Sequence, residues 1–170
     1  MQIEVREMTL EEAPAVINYF HASTPEHLEM LGVDPTRLPP AKEWLEGLER
    51  EFGEPISRRR RFFVSWIVDD GLAGFSSCDK IRYGEQANMH LHVLNPTQRQ
   101  LGIGTKCVRQ SAELYFEKLQ LKRLFCEPNA FNTGPNRTLQ KAGFAYVKTH
   151  MTNPGPLNYR QAVTRWVIER

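Results

Sequence analysis

Apolar and polar positions along the chain alternate in some stretches and recur at helical spacing in others, and the switches between the two periods mark out its elements. Residues 2–8, IEVREMT, alternate and predict a first strand. Thr9, with Glu12 three residues later, is a capping box that opens an amphipathic helix through about His21. Thr24 followed by Pro25 marks a second helix start. From Ala41 to Phe52, the residues Trp44, Leu45, Leu48 and Phe52 repeat at helical spacing, and Gly53 and Pro55 end the run. The period then changes. Phe62 to Val68 is aromatic and β-branched, Asp69-Asp70-Gly71 is a hairpin signal, and Leu72 to Arg82 is the partner strand. Ala87 to Leu94 forms another strand, with Met89, Leu91 and Val93 on one face and His90 and His92 on the other. A stripe of Ile103, Cys107, Val108, Ser111, Leu114 and Tyr115 predicts a long helix over Gly102 to Leu119. A short strand at Arg123 to Cys126 follows, then a helix at Pro135 to Ala142 stopped by Gly143. Strands at Phe144 to Thr149 and Ala162 to Ile168 close the chain.

The order is therefore β, two or three helices, then β-β-β-α-β-α-β-β. Without internal repeats or a polar linker, this predicts one domain over residues 1–170, with helices on both faces of a single sheet. Hydrophobic residues make up 41% and charged residues 25% of the chain, which excludes disorder. Mean hydropathy is −0.49, and no apolar run approaches the roughly 18–20 residues of a membrane span. The N-terminal MQIEVREMTLEEA has acids and no apolar centre, so it does not read as a secretory signal. Cys78, Cys107 and Cys126 are odd in number and make no CxxC pair, which suits reduced thiols in a cytoplasmic protein and gives no zinc ligand set. The net charge of +2 gives no argument for nucleic acid as a partner. The run Arg58 to Arg61 reads as a solvated edge that guards the apolar strand after it.

The informative stretch runs from Met89 to Thr105. A strand enters a turn containing Gly102 and Gly104, and the turn opens a helix. Glycines let a ligand approach the backbone, and the first amides of a helix point outward without partners, at its positive end. That is a ready site for a diphosphate. The nucleotide P-loop pattern breaks at Gly104-Thr105-Lys106-Cys107, and a dinucleotide fingerprint would need glycine at Cys107.

Arg99-Gln100-Leu101-Gly102-Ile103-Gly104 fits R-x-x-G-x-G, and Asn132 to Phe144 (NTGPNRTLQKAGF) fits the ending N-x-x-S-x-R-x-L-x-K-x-G-F except at Pro135. In these residues and in its order of elements the chain resembles the GNAT superfamily of N-acetyltransferases, and the second segment is similar to the ribosomal-protein type. The resemblance implies a three-layer α+β fold whose mixed, mostly antiparallel sheet has splayed parallel strands four and five. It implies acetyl-CoA as co-substrate. The diphosphate would lie on Arg99, Gln100, Leu101, Gly102, Ile103, Gly104 and Thr105, the pantetheine arm along the backbone of Leu94, and Asn132 and Arg137 would be further contacts. Plainer roles stand beside these: Asn132 as a helix cap, Arg99 and Arg137 as solvated charges.

The reaction implied is direct transfer of the acetyl group to a primary amine of a small molecule or a protein N-terminus, with no metal. The amine must lose a proton before it attacks, and His90 or His92 can take it; an ordinary sheet histidine is the dull alternative for each. The first helices would shape the acceptor pocket, with His21, His27 and Glu29 at its border. Leu139 stands where the family usually carries a tyrosine as proton donor, which leaves Cys126, Tyr83 or water for that role. The departure keeps open a second reading, a non-catalytic acyl-CoA-binding module. A homodimer through the last strands is also open.

Overall fold

The computed structural model describes residues 1–95 and 102–170. Its elements are β1 (Ile3–Glu7), α1 (Ala13–His21), α2 (Pro25–Leu31), α3 (Ala41–Gly53), β2 (Phe62–Val68), β3 (Gly71–Arg82), β4 (Gln86–Val93), α4 (Ile103–Leu119), β5 (Arg123–Cys126), α5 (Thr133–Ala142), β6 (Ala145–Thr152) and β7 (Gln161–Glu169). The strands form one sheet in the order β1-β2-β3-β4-β5-β7-β6. Among the described strands only the β4–β5 pair is parallel. This is the element order that the hydrophobic periods predict.

Two apolar layers fill the space on either side of the sheet. On one side, Ile103, Cys107, Val108, Tyr115 and Leu119 of α4 pack with Phe62, Val64, Trp66 and Met89. On the other, α1 to α3 bring Val16, Phe20, Leu28, Trp44 and Leu48 against Phe63 and Phe75. Two pairs of polar side chains are buried beside α4: Trp66 Nε1 donates to Ser111 Oγ at 2.8 Å, and Ser76 Oγ meets Tyr115 Oη at 2.7 Å. Strand β2 is apolar on both faces because it lies between β1 and β3 with helices above and below. That position corrects the edge reading of the arginine run. Arg59 turns inward, 2.6 Å from Glu7, donating to the carbonyls of Phe52 and Glu54 and lying 5.5 Å over the Phe62 ring. At the end of the sheet opposite β1, the outer strand β6 has Tyr146, Val147 and Met151 exposed.

The capping box forms, although the first turn is 3-10 (Leu10–Glu12) and the α-helix begins at Ala13. Glu12 accepts from the Thr9 amide at 3.0 Å, from both Nη atoms of Arg6 and from Ser65 Oγ at 2.8 Å, tying α1 to β1 and β2. Burial alone would push its carboxyl up; these donors outweigh it and bring the pKa down to about 2.

A second tie holds the loop between β6 and β7 over the sheet. Gly32, which ends α2 at φ +70°, accepts at its carbonyl from Gln161 Nε2 at 2.8 Å, Asn158 Nδ2 at 2.9 Å and the Tyr159 amide at 3.3 Å. The Asp34 amide donates to Leu157 at 2.8 Å. A Cβ at Gly32 would fall 1.9 Å from Gln161 Oε1. Only glycine fits both the dihedral and the space.

Two stability outcomes follow from these ties. Glu12→Gln is expected to cost about 2 kcal/mol at neutral pH. Because the folded pKa lies below the unfolded value, that stability is complete above about 4.5 and lost as pH falls towards 2, so urea midpoints of the two proteins should converge across that window. Gly32→Ala combines strain with a displaced Gln161. A loss of about 1–3 kcal/mol in thermal unfolding is expected, and an unchanged melting temperature would refute the tie.

Candidate active site

The centre of the sheet opens where the parallel β4–β5 pair ends. Residues Gln86 to Met89 of β4 pair with Arg123 to Cys126 of β5. Beyond Met89, the strand from His90 to Val93 stays paired with β3 but has no partner on its other side among the described strands. Strand β5 stops at Cys126. The result is a wedge with an open backbone edge on the β4 side.

Helix α4 starts after Gly102, which sits at φ +74° and, as a glycine, brings no side chain to cap the first turn. Among the described residues no side-chain cap meets its opening amides. A Cβ at Gly104 would meet only Thr138 of α5, at 3.6 Å, and one at Gly102 would meet nothing within 4 Å. The surface over this turn is clear of protein atoms from the described residues.

Next to the wedge lies a cleft of about 980 Å³, counting its open mouth. Its charged floor is made by three adjacent strands. The register sets Ser77 opposite His90 and Asp79 opposite Asn88, so Asp79 and His90 are diagonal neighbours on one face. His90 Nε2 lies 3.0 Å from Asp79 Oδ1. The approach is oblique, short of an aligned hydrogen bond. Burial would raise the Asp79 carboxyl, but the positive ends of His90, Lys80 and Arg61 outweigh that and hold it below the usual range. His92 lines the same cleft one pleat on, with ring centroids of Phe75, Phe20 and Tyr19 at 4.9, 5.1 and 5.2 Å. Just past β5, the buried carboxylate of Glu127 accepts from Asn88 Nδ2 at 3.0 Å and lies 3.2 Å from both Arg165 Nη1 and His150 Nε2.

The structure thus brings His90, His92 and Asn132 to one cleft and Gly102, Ile103, Gly104 and Thr105 to the adjoining helix start. Ile103 contributes only its backbone there, because its side chain is core. Leu94 is half-buried, and its amide is given to the Ala73 carbonyl at 2.9 Å, which turns that amide towards β3 and away from the open edge. Asn132 occupies the N-cap of α5 without a capping bond from its side chain, so it does not act as the cap its position suggests. Arg137 is exposed and outside the cleft lining. Arg99, Gln100 and Leu101 lie outside the described residues.

Several expectations for the border change. His21 meets the Pro39 carbonyl and the edge of Trp44, and His27 meets Tyr19 Oη; neither lines the cleft. Glu29 sits on a neighbouring shallow groove with Met30 and Phe131. Tyr83 is 47% exposed on the turn before β4, away from the floor. Cys126 does reach the cleft, but burial pushes its thiol far above the ordinary range. Leu139 is wholly buried. The two acids were missed because neither is on the strand of the histidines: Asp79 is on β3, and Glu127 follows the end of β5. The pairing of the two strands across Gly84 was the signal for Asp79; nothing local marked Glu127.

A family model described as an acetyltransferase (GNAT) domain matches residues 2–145. Aminoglycoside N(6')-acetyltransferase type 1 of Klebsiella pneumoniae is 28% identical over 123 residues, which is 69% of this chain and 55% of that protein, so the chain spans about half the length of this curated relative. Among solved structures, spermidine N-acetyltransferase from Vibrio cholerae, in complex with CoA and spermine, superposes with a TM-score of 0.79 at 14% identity, covering 99% of this chain and 95% of that one. Ribosomal-protein-S5-alanine acetyltransferase from Vibrio fischeri gives 0.76 at 14%, with 99% and 93% covered. These two likenesses concern the fold. Together with the family match over most of the length, they account for a sheet that parts between its fourth and fifth strands: the chain belongs to the acetyltransferase (GNAT) domain family.

Proposed function

We propose that the protein transfers the acetyl group of acetyl-CoA directly to a primary amine of a small molecule or a protein N-terminus. The observation that carries this reading is the edge of β4 beyond Met89, open among the described strands, together with the start of α4, which no described side chain caps, and the Asp79–His90 pair. An acyl-pantetheine arm has amides that can complete the edge as a strand would, its diphosphate suits the amides of Ile103 to Thr105, and its thioester then reaches the cleft. The residues present fit that co-substrate, which supplies an activated acyl carbon.

The chain's own part is mostly placement. Holding amine and thioester in line is the largest gain available without a covalent enzyme intermediate. A backbone amide on the open edge can donate to the thioester oxygen as charge develops there. His90 takes the proton of the attacking amine, and Asp79 orients its ring; bonds of this kind tighten when reactants bind. His92, packed among three aromatic rings, shapes the wall. The C–S bond breaks as the C–N bond forms, and the sulfur leaves as a thiolate. A thiol with a pKa of about 8.5 needs no dedicated acid.

The non-catalytic acyl-CoA-binding module is the second reading, and the buried Leu139 is the observation that favours it, because that position offers no proton donor. Thiol release from acetyl-CoA with a panel of amines separates the two. Release above background with at least one amine is expected; none, while CoA still binds, would leave the module.

Gly104→Val, placed where the fold has room, is expected to raise the Kd for CoA at least about tenfold, or ~1.4 kcal/mol, with no change in melting temperature. Unchanged affinity by calorimetry would remove the diphosphate from this turn. His90→Gln is expected to lower kcat by about 100-fold at pH 7 and clearly less at pH 9, where more of the amine is already neutral; His92→Gln should change it only several-fold. Equal losses at both pH values would make His90 a wall residue as well.

A further inference from the structure

The cleft's lining distinguishes among amines. Resting on the acetyl-transfer reading, we infer that the acceptor is an amine carried on an aromatic or branched apolar body with no second cation. The wall that faces the first helices is built from Val16, Phe20, Trp44, Phe63 and Phe75, closed on the far side by Leu157 of the strapped loop. Phe20 and Trp44 are stacked, with centroids 5.6 Å apart, and Phe75 stands edge-on to Phe20 at 6.4 Å. Trp44 and Phe63 also belong to the buried core, so this wall is fixed in place by packing behind it. A flat or branched apolar group would meet carbon on several sides.

The charges of the cleft point the same way. Its two carboxylates already have cationic or polar partners. Asp79 lies against His90 and feels Arg61 across the pair of strands. Glu127 lies within reach of Arg165, Asn88 and His150, with its side chain 4% exposed. Arg61 adds its own positive charge to the lining. A polyamine or an amino sugar would bring several ammonium groups to a lining whose described carboxylates, Asp79 and Glu127, already face cationic or polar partners, and each hydroxyl of the sugar would lose water against carbon. One amine at His90, with its apolar remainder against Phe20 and Trp44, leaves no such group unsatisfied.

The test compares phenethylamine and tryptamine with spermidine and kanamycin, in the intact protein with acetyl-CoA, by thiol release. A kcat/KM at least 100-fold higher for the aromatic monoamines is expected. In parallel, calorimetric titration of the CoA-bound protein ranks the same four amines by Kd without requiring turnover. If no amine turns over, the transfer reading fails, but the aromatic amines must still bind at least tenfold tighter than the polycations. Equal binding, or tighter binding of spermidine or kanamycin, overturns the inference whatever the turnover. Phe20→Ala is expected to raise KM for tryptamine about tenfold while kcat changes little. Arg61→Gln leaves the apolar wall intact, and it should raise kcat/KM for spermidine several-fold; no narrowing of the gap would contradict the part given to Arg61.

Discussion

A strand at the centre of a sheet normally has both backbone edges paired, since each buried amide or carbonyl without a partner costs free energy comparable to a lost hydrogen bond. In this chain the fourth strand keeps that rule only on the side facing β3. After Met89 its other edge has no partner among the described strands, because β5 is four residues long and the chain beyond Cys126 parts from β4 while staying with β7, where Asn129 bridges Val163. The interruption is built into the fold. Strand β7 closes on β5 from the outside, and the apolar layers on both faces keep β4 from moving over to fill the gap. What the sheet lacks there is an extended chain with amides, and the site is organised around that lack.

The surrounding residues follow from where the gap lies. Helix α4 follows β4 in the chain, and no side chain of the described residues caps its start. The opposite face at the same level carries the side chains of β3 and β4 that point away from α4. They alternate with the core residues Cys78 and Met89, which places Ser77, Asp79, His90 and His92 together. Helices α1 to α3 then roof this face with aromatic carbon, and the loop held by Gly32 closes its end. Charge is thus confined to the floor and apolar surface to the wall. On the proposed transfer reading, an amine that reaches the floor would have His90 beside it, while the rest of its molecule would meet carbon.

Much of this was legible in the sequence. The capping box at Thr9 and Glu12, the turn at Asp69-Asp70-Gly71 and the stop at Gly143 depend on neighbours a few residues away, and each forms where it was expected. The alternation through Met89 to Val93 correctly set the two histidines on one face. Pairing across strands was not legible in the same way. Arg58 to Arg61 looks like a guard for an exposed edge until β1 is seen to cover β2, and Arg59 is then drawn in by Glu7 from the opposite end of the chain segment. Asp79 becomes the partner of His90 only through the register of β3 on β4, which a bulge between Asp79 and Arg82 adjusts. Glu127 depends on Arg165 and His150, contributed by β7 and β6. Gly32 and Gln161 are separated by most of the chain. Short-range chemistry was readable; side chains that meet through register and topology were not.

The account stands or falls on what occupies the bare edge of β4. The direct measurement is a crystal structure of the protein with acetyl-CoA. It is predicted to show continuous density for the pantetheine arm alongside His90 to Val93, the diphosphate on the amides of Ile103 to Thr105, and the thioester carbonyl facing His90. Density for the molecule elsewhere on the protein, with the edge of β4 still bare, would contradict it.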